Sequence, residues 1–102
     1  KMIDFVIENN QLTCSPLKDF SAGNIPEMHD LIVQKLLKSE QWELLVLDCT
    51  NVTALSSIGV NLMIGLFKMS KSMDKEFKIS NCNESILKVL KLFKFDRQFS
   101  IE

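Results

Sequence analysis

The chain has 102 residues, a length that suits one domain over residues 1–102, and its 46% hydrophobic content is enough to form a buried core. Twelve basic and thirteen acidic side chains give a formal net charge of -1, which argues against a nucleic-acid binder. The lysines of the last third are spaced among apolar residues, so we interpret them as solvated helix faces.

The N-terminal residues predict a β-hairpin. Residues 2–7 mix apolar and polar side chains in a way that is typical of a strand, and Glu8, Asn9 and Asn10 form a turn signal. Residues 11–15 are the expected partner strand, which Pro16 ends because proline cannot continue the hydrogen-bond ladder.

A first helix is predicted to begin at Asn24. Asparagine is a good N-cap, Pro26 suits the first turn, and Glu27 faces the positive end of the helix. Four apolar residues then recur at helical spacing: Met28, Leu31, Ile32 and Leu36. We expect the helix to end near Ser39–Glu40.

Leu44–Leu47 has no polar alternation, which predicts a central strand covered on both faces. The helix predicted over residues 58–73 carries two apolar stripes. The first stripe is Val60, Met63, Ile64 and Phe67, and the second is Leu62, Leu66, Met69 and Met73. Because one buried face does not need both stripes, the helix is either sandwiched in the core or leaves its outer stripe for a partner.

The C-terminal third adds a short strand at residues 77–79, a cap at Asn81–Asn83 and a third helix. The apolar positions of that helix are Ile86, Leu87, Val89, Leu90 and Phe93. Residues 95–101 form a tail with strand character at Phe99 and Ile101. Strands that alternate with helices predict an α/β fold, here with a mixed sheet of four to five strands and an opening hairpin.

The usual catalytic and cofactor motifs are missing from the sequence. It has no GxGxxG, P-loop or HExxH pattern, no GxSxG elbow surrounds Ser57, and His29 is its only histidine. We therefore predict that the protein is not an enzyme and has no catalytic residue, cofactor or metal site. Asp48 ends a predicted strand, where it either orients the following loop or contributes to a ligand site.

Cys14, Cys49 and Cys82 are an odd number, with no CxxC and no metal-ligand spacing. Each lies in or beside an apolar segment, which favours buried, reduced thiols in a reducing cytosol. No stretch reaches the ~18 apolar residues of a membrane span, and no charged-then-apolar leader opens the chain. We expect a cytoplasmic protein that does not insert into membranes.

Ser56 and Ser57 lie between a strand and a helix, within the segment Leu55–Ile64. A phosphate is tolerated there because the first turn of a helix has free N–H groups and a positive dipole end. Serine is also among the best N-cap residues, so the position alone favours a cap over a phosphorylation site.

Three stretches in order carry a resemblance to a known family: Phe20–Met28, Leu44–Thr53 and Leu55–Val60. All three resemble parts of the STAS domain family. The first is similar to the start of that family's first helix, the second to its central strand and the following loop, and the third to its serine-pair motif. Asn81–Phe95 also resembles the final helix of these domains. The resemblance covers almost the whole chain and implies a STAS-like sheet with helices packed mainly on one face.

The STAS family includes bacterial anti-sigma factor antagonists, in which the serine that aligns with Ser57 is phosphorylated by a kinase that is also an anti-sigma factor. The resemblance implies that the unphosphorylated domain binds this kinase and frees the sigma factor, and that a PP2C-type phosphatase resets it. The expected partner-binding residues are Ser56, Ser57, Ile58, Gly59 and Asn61 of the turn, with Leu62, Leu66 and Met69 of the outer stripe.

Two positions differ from the family pattern, because Ser21 and Ser56 stand where many kinase-binding members have an acid. Two further hypotheses therefore stay open. The chain could be a constitutive interaction subunit of a transport or signalling complex. It could also bind a small ligand such as a nucleotide near the Ser56–Gly59 turn, with Asp48 and Ser21 as candidate ligand-binding residues.

Overall fold

The computed structural model describes residues 1–39 and 41–102. Within these ranges the chain forms five β-strands and three α-helices, which confirms the predicted α/β class. In chain order the elements are β1 Ile3–Glu8, β2 Gln11–Pro16, α1 Ile25–Lys38, β3 Leu44–Asp48, α2 Ser57–Ser72, β4 Glu76–Ser80, α3 Glu84–Leu92 and β5 Ser100–Ile101. A short 3₁₀ turn over Phe95–Arg97 precedes β5.

The strands lie side by side in the order β1-β2-β3-β4-β5. The predicted opening hairpin is confirmed, because β1 and β2 are antiparallel and Glu8 pairs with Gln11. Asn9 and Asn10 form its two-residue turn with φ values of 53° and 62°. Positive φ at both turn residues matches the right-handed twist of the strands, and asparagine tolerates it better than most residues. The remaining neighbours in the sheet are parallel.

All three helices pack on one face of the sheet, as the resemblance implied. Each parallel pair is joined through a helix, and such connections are right-handed. Because the strands advance in a single direction from β2 to β5, this handedness places every helix on the same side. The buried cluster accordingly joins the sheet residues Leu12, Leu45 and Ile79 to Met28 of α1 and Leu90 of α3.

Strand β3 is central, as predicted, but its two faces are covered by different means. Leu45 and Leu47 are fully buried in the cluster to which the helices contribute. Val46 is 3% exposed and lies outside that cluster. Its cross-strand partners are Thr13 and Lys78, so neighbouring strands shield it. The continuous apolar run therefore does not require helices on both sides.

Helix α1 buries Met28, Ile32 and Leu36, as its spacing predicted. Asn24 occupies the N-cap position, but its side chain makes no cap hydrogen bond. The residue has helical φ and ψ of -97° and -31°, and its Nδ2 donates to the carbonyl oxygen of Asp19 at 3.1 Å. The helix ends at Lys38 with Ser39 as its C-cap, which confirms the predicted end near Ser39. Glu40 lies outside the described residues.

Helix α2 corrects the prediction of an exposed outer stripe. Leu62 and Leu66 are 4% and 1% exposed, and Met69 is half-buried. Because α2 packs against both β4 and α1, a wide arc of its surface is covered, and both apolar stripes contribute to the core. The exposed line of the helix instead contains Ile58, Asn61, Gly65, Lys68 and Ser72.

The third helix is capped by Asn83, whose side chain accepts from the Ile86 N–H at 2.9 Å. Ile86 and Leu90 are buried as predicted, but Phe93 is 53% exposed. The helix ends at Leu92, and the left-handed Lys94 (φ 61°) then redirects the chain. In the described ranges no helix is long and apolar enough to cross a bilayer.

Truncating a side chain on the buried face of α2 should lower the free energy of unfolding more than truncating one on its exposed face. Leu66→Ala removes a side chain that is 1% exposed, so we expect the free energy of unfolding to fall by about 2–5 kcal/mol. Ile58→Ala truncates a side chain that is 39% exposed, so we expect a loss below about 1 kcal/mol. Urea denaturation of both variants measures the difference, and equal losses would contradict the assignment of the two faces.

Candidate functional site

Three loops meet at one edge of the sheet. The parallel strands β2, β3 and β4 end at Pro16, Asp48 and Ser80, so the loops over residues 17–24, 49–56 and 81–83 leave the sheet on the same side. The carboxyl edge of an open α/β sheet is where ligands and partners commonly bind. The predicted serine pair lies here, at the end of the second loop.

Asp48 joins neighbouring segments of this edge. Its Oδ1 accepts from the Thr50 N–H at 3.1 Å, the Thr50 hydroxyl at 2.7 Å and Asn81 Nδ2 at 2.9 Å. Its Oδ2 accepts from the Ser15 hydroxyl at 3.4 Å. Burial alone would raise the pKa of Asp48, but the hydrogen bonds from Thr50, Asn81 and Ser15 outweigh it and lower the pKa. These contacts favour the loop-orienting interpretation over a ligand-binding one.

A second polar network was not predicted. Asp19 Oδ1 accepts from the N–H and hydroxyl of Thr53 at 3.4 Å and 3.0 Å. Asn83 Nδ2 donates to the Thr53 carbonyl oxygen at 2.9 Å. Thr53 therefore connects all three loops. Short-range sequence patterns give no signal for contacts between residues thirty or more positions apart.

The two serines divide the roles that the sequence left open. Ser56 is the N-cap of α2: it has extended backbone, its Oγ accepts from the Gly59 N–H at 3.4 Å, and its hydroxyl donates to the Phe20 carbonyl oxygen at 3.4 Å. Ser57 is the first helical residue, and it is exposed. The capping function therefore belongs to Ser56, and the Ser57 side chain is left at the surface.

Gly59 allows the first loop to approach the start of α2. A Cβ atom at this position would lie 2.9 Å from Leu55 Cδ1, 2.9 Å from Phe20 Cδ2 and 3.2 Å from Phe20 Cβ. Phe20 is 4% exposed, so its ring is held in the core. The close packing on Gly59 fixes the position of the serine pair relative to the neighbouring loop.

The predicted partner-binding residues are only partly accessible. Ser56, Ser57, Ile58 and Asn61 are exposed at the first turns of α2, whereas Gly59 is buried. Leu62 and Leu66 point into the core, and Met69 is half-buried. Gly65 and Lys68, which were not among the predicted residues, are exposed on the same face of α2. Their spacing from Ile58 and Asn61 follows the three- and four-residue rhythm of one helix face and could have indicated them.

A shallow depression lies beside the serine pair. Asp19, Phe20, Ser21 and residues 53–56 line it, and its volume is about 230 Å³. Ligand pockets are usually about 300–1,000 Å³ and more enclosed. The structure thus brings Ser21 and Ser56 to one depression, but Asp48 is not part of its lining. This geometry gives little support to a nucleotide site built from both Asp48 and Ser21.

His29 is exposed on α1, and its Nδ1 lies 3.4 Å from Asp30 Oδ1. Over residues 1–39 and 41–102, no group of three or more His, Cys, Asp or Glu side chains is placed to hold a metal ion.

A family model for the STAS domain matches residues 6–102. A Thermotoga maritima protein described as an anti-sigma factor antagonist matches the fold with a TM-score of 0.88 and 21% identity, over 98% of this chain and 85% of that one. The anti-sigma factor antagonist SpoIIAA in its unphosphorylated form matches with a TM-score of 0.80 and 9% identity, over 98% and 87%. A serine-to-glutamate variant of Moorella thermoacetica RsbS matches with a TM-score of 0.81 and 8% identity, over 100% and 86%. At these identities the structural likeness shows a shared fold.

Two glycine substitutions in α2 are expected to change stability in opposite directions. Gly59→Ala forces the buried Phe20 to move, so we expect a loss of about 1–3 kcal/mol in the free energy of unfolding. At Gly65, apart from its chain neighbours and the adjacent backbone of α2, no atom of the described residues lies within 4 Å of an added Cβ. Alanine favours a helix over glycine by about 1 kcal/mol. Urea denaturation should show a gain for Gly65→Ala, and changes of the same sign at both positions would contradict this packing.

Because hydrogen bonds lower the pKa of Asp48, we expect the free energy of unfolding to depend on pH. Its pKa in the folded protein is lower than the ordinary 3.8, so its ionised form contributes stability above about pH 5 that is lost as the pH falls through the folded-state pKa. We expect the destabilisation caused by Asp48→Asn to be largest at neutral pH and to shrink toward about pH 3. Urea denaturation of both proteins across this range tests it, and a constant difference would contradict the assignment.

Proposed function

The chain belongs to the STAS domain family, and from this premise we propose that residues 1–102 act as one phosphorylation-controlled protein-binding switch. Ser57 is the phosphorylated residue. When Ser57 is unmodified, the chain binds a serine kinase that is also an anti-sigma factor, and a PP2C-type phosphatase restores this state. The division of roles at the serine pair carries the proposal, because Ser56 caps the helix while Ser57 is exposed beside it.

A phosphate on Ser57 suits the fold. It adds about -1.5 to -2 charges at neutral pH, next to the positive end of the α2 dipole. The dipole favours such a charge by about 0.3–1 kcal/mol at an exposed site. The first turn of α2 has no acidic residue that would repel the phosphate. Folding should therefore change little when Ser57 is modified.

A phosphate on Ser57 should change the affinity for a protein partner much more than it changes the stability of the fold. Ser57 adjoins Ile58, an apolar side chain that is 39% exposed, and Asn61 follows one turn later on the same exposed line. A partner that packs on Ile58 must bring the Ser57 hydroxyl into or beside the interface. An unpaired charge at that point costs several kcal/mol on docking, which corresponds to about a hundredfold loss of affinity or more.

The proposed partner face is therefore smaller than the sequence predicted. It consists of Ser57, Ile58 and Asn61, and it extends along the helix over Gly65 and Lys68. Leu62 and Leu66 are excluded because they are buried. The small Gly65 would allow a partner to approach the helix backbone closely between Asn61 and Lys68.

Two of the similar structures support the proposal by analogy. SpoIIAA is described in its unphosphorylated form, and the RsbS variant has a glutamate in place of a serine. By analogy, this chain could accept a negative charge at a serine and remain folded. The identities of 9% and 8% make this an analogy of fold and not a transfer of partners.

The decisive variants change only the charge at Ser57. In pull-downs from cell extract, we expect wild type and Ser57→Ala to capture the same protein and Ser57→Asp to lose it, with at least about a hundredfold weaker binding. Ser72→Asp is the matched control, because Ser72 is also exposed on α2 but lies at the opposite end of the helix. Mass spectrometry identifies the captured protein.

Three results would count against the switch. Capture by Ser57→Asp at the wild-type level would favour a constitutive interaction subunit. Loss of the partner by Ser72→Asp as well would indicate a general charge effect. Incubation with ATP and an extract whose kinases are shown to be active should add one phosphate at Ser57, and an unmodified intact mass would remove the proposed regulation.

A further inference from the structure

The fold brings together two cysteines that are far apart in the sequence. Cys49 directly follows β3, and Cys82 comes two residues after β4. Asp48 pairs with Ser80 in the sheet, and the Cys49 N–H donates to the Ser80 carbonyl oxygen at 2.9 Å. Asn81 then adopts a left-handed conformation with φ 56°, which turns the chain beyond β4. As a result, the partly buried Cys82 side chain packs at this end of the sheet against the core cluster that contains Cys49.

The two thiols are not equivalent. Cys49 is 1% exposed, whereas Cys82 is only partly buried and can be reached from solvent. The neighbouring Cys82 thiol, together with burial, raises the pKa of Cys49. The interaction with the Cys49 thiol lowers the pKa of Cys82, because it stabilises the Cys82 thiolate. Cys82 is therefore the accessible nucleophile, and Cys49 is positioned behind it.

The third cysteine provides an internal contrast. Cys14 lies on the core side of β2 and is fully buried. Burial raises its pKa to about 12, which Lys35 only partly opposes. Buried thiols of this kind are unreactive toward oxidants because the thiolate is the reacting species.

We propose that Cys49 and Cys82 form an oxidation-sensitive pair that hydrogen peroxide converts into an intramolecular disulfide. The Cys82 thiolate attacks one peroxide oxygen, the O–O bond breaks, and the departing hydroxide takes up a proton to become water. This leaves a sulfenic acid on Cys82. The Cys49 thiol then loses its proton and attacks that sulfur, which forms the S–S bond and releases the second oxygen as water. The two thiols lose two electrons in total, and one peroxide is reduced to two waters.

Oxidation of Cys82 to the sulfenic acid also makes the attack by Cys49 easier. While Cys82 is a thiolate, its negative charge keeps the proton on Cys49. Conversion to a neutral sulfenic acid removes that charge, so Cys49 can deprotonate more readily next to its target. The product would link the loop over residues 49–56, which leads to the serine pair, to the loop over residues 81–83. This modification does not depend on phosphorylation of Ser57.

The test is oxidation of the purified, reduced chain with hydrogen peroxide at neutral pH. We expect the intact mass to fall by two hydrogens and the free-thiol count to fall from three per chain to one. Peptide mapping without reduction should recover Cys49 joined to Cys82, and a thiol reductant should reverse both changes. Cys14→Ser should oxidise as wild type does.

The variants separate the two thiols. Cys82→Ser should resist oxidation at matched peroxide concentration, and Cys49→Ala should accumulate a sulfenic acid on Cys82 that dimedone traps. The wild-type peptide map needs no variant, so the proposal stays testable even where a substitution at the buried Cys49 prevents folding. A disulfide that includes Cys14, oxidation of Cys82 to sulfinic acid without a disulfide, or an unchanged mass would overturn it.

Discussion

Each pair of parallel strands in this sheet is joined by a helix, and the right-handed sense of such connections determines where every helix lies. The strands from β2 to β5 advance in one direction only, so α1, α2 and α3 all cover the same face. The same topology sends three loops to one edge of the sheet. The position of the core, the burial of α2 and the clustering of the candidate site residues all follow from this constraint.

The edge that collects these loops is held by polar contacts and close packing. Asp48 ties the end of β3 to Ser15 and Asn81, and Thr53 joins the other side of the same loop to Asp19 and Asn83. These contacts fix the path of the loop that ends in the serine pair. With the loop held by these contacts, Ser56 caps α2 while Ser57 remains at the surface. For that reason we separate the capping residue from the proposed phosphorylation site.

The helices and strands were predicted well because residues close together in the sequence specify them. The two asparagines specify the hairpin turn, the apolar residues of α1 repeat at helical spacing, and the run at residues 44–47 indicates a central strand. The misassigned Leu62 and Leu66 depended on tertiary contacts, since only packing against β4 and α1 explains why both apolar stripes of α2 are buried. Composition alone could not choose between the core and a partner for these side chains.

The candidate site at the carboxyl edge of the sheet was harder to predict than the fold. The serine-pair segment was found from its position between a strand and a helix, but the sequence did not say which serine acts as the cap. The Asp19–Thr53 contact and the Cys49–Cys82 pair join residues that are more than thirty positions apart, and neither has a spacing that marks it in advance. Such contacts become visible only when the register of the strands is known.

The most direct test of the central claim uses the chain with phosphoserine incorporated at position 57. Its dissociation constant for the protein that the unmodified chain captures should be measured beside its free energy of unfolding. We expect the dissociation constant to rise at least about a hundredfold. The free energy of unfolding should stay within about 1 kcal/mol of the unmodified chain. An unchanged dissociation constant, or weaker binding accompanied by loss of the folded state, would contradict the separation of folding from binding at this serine pair.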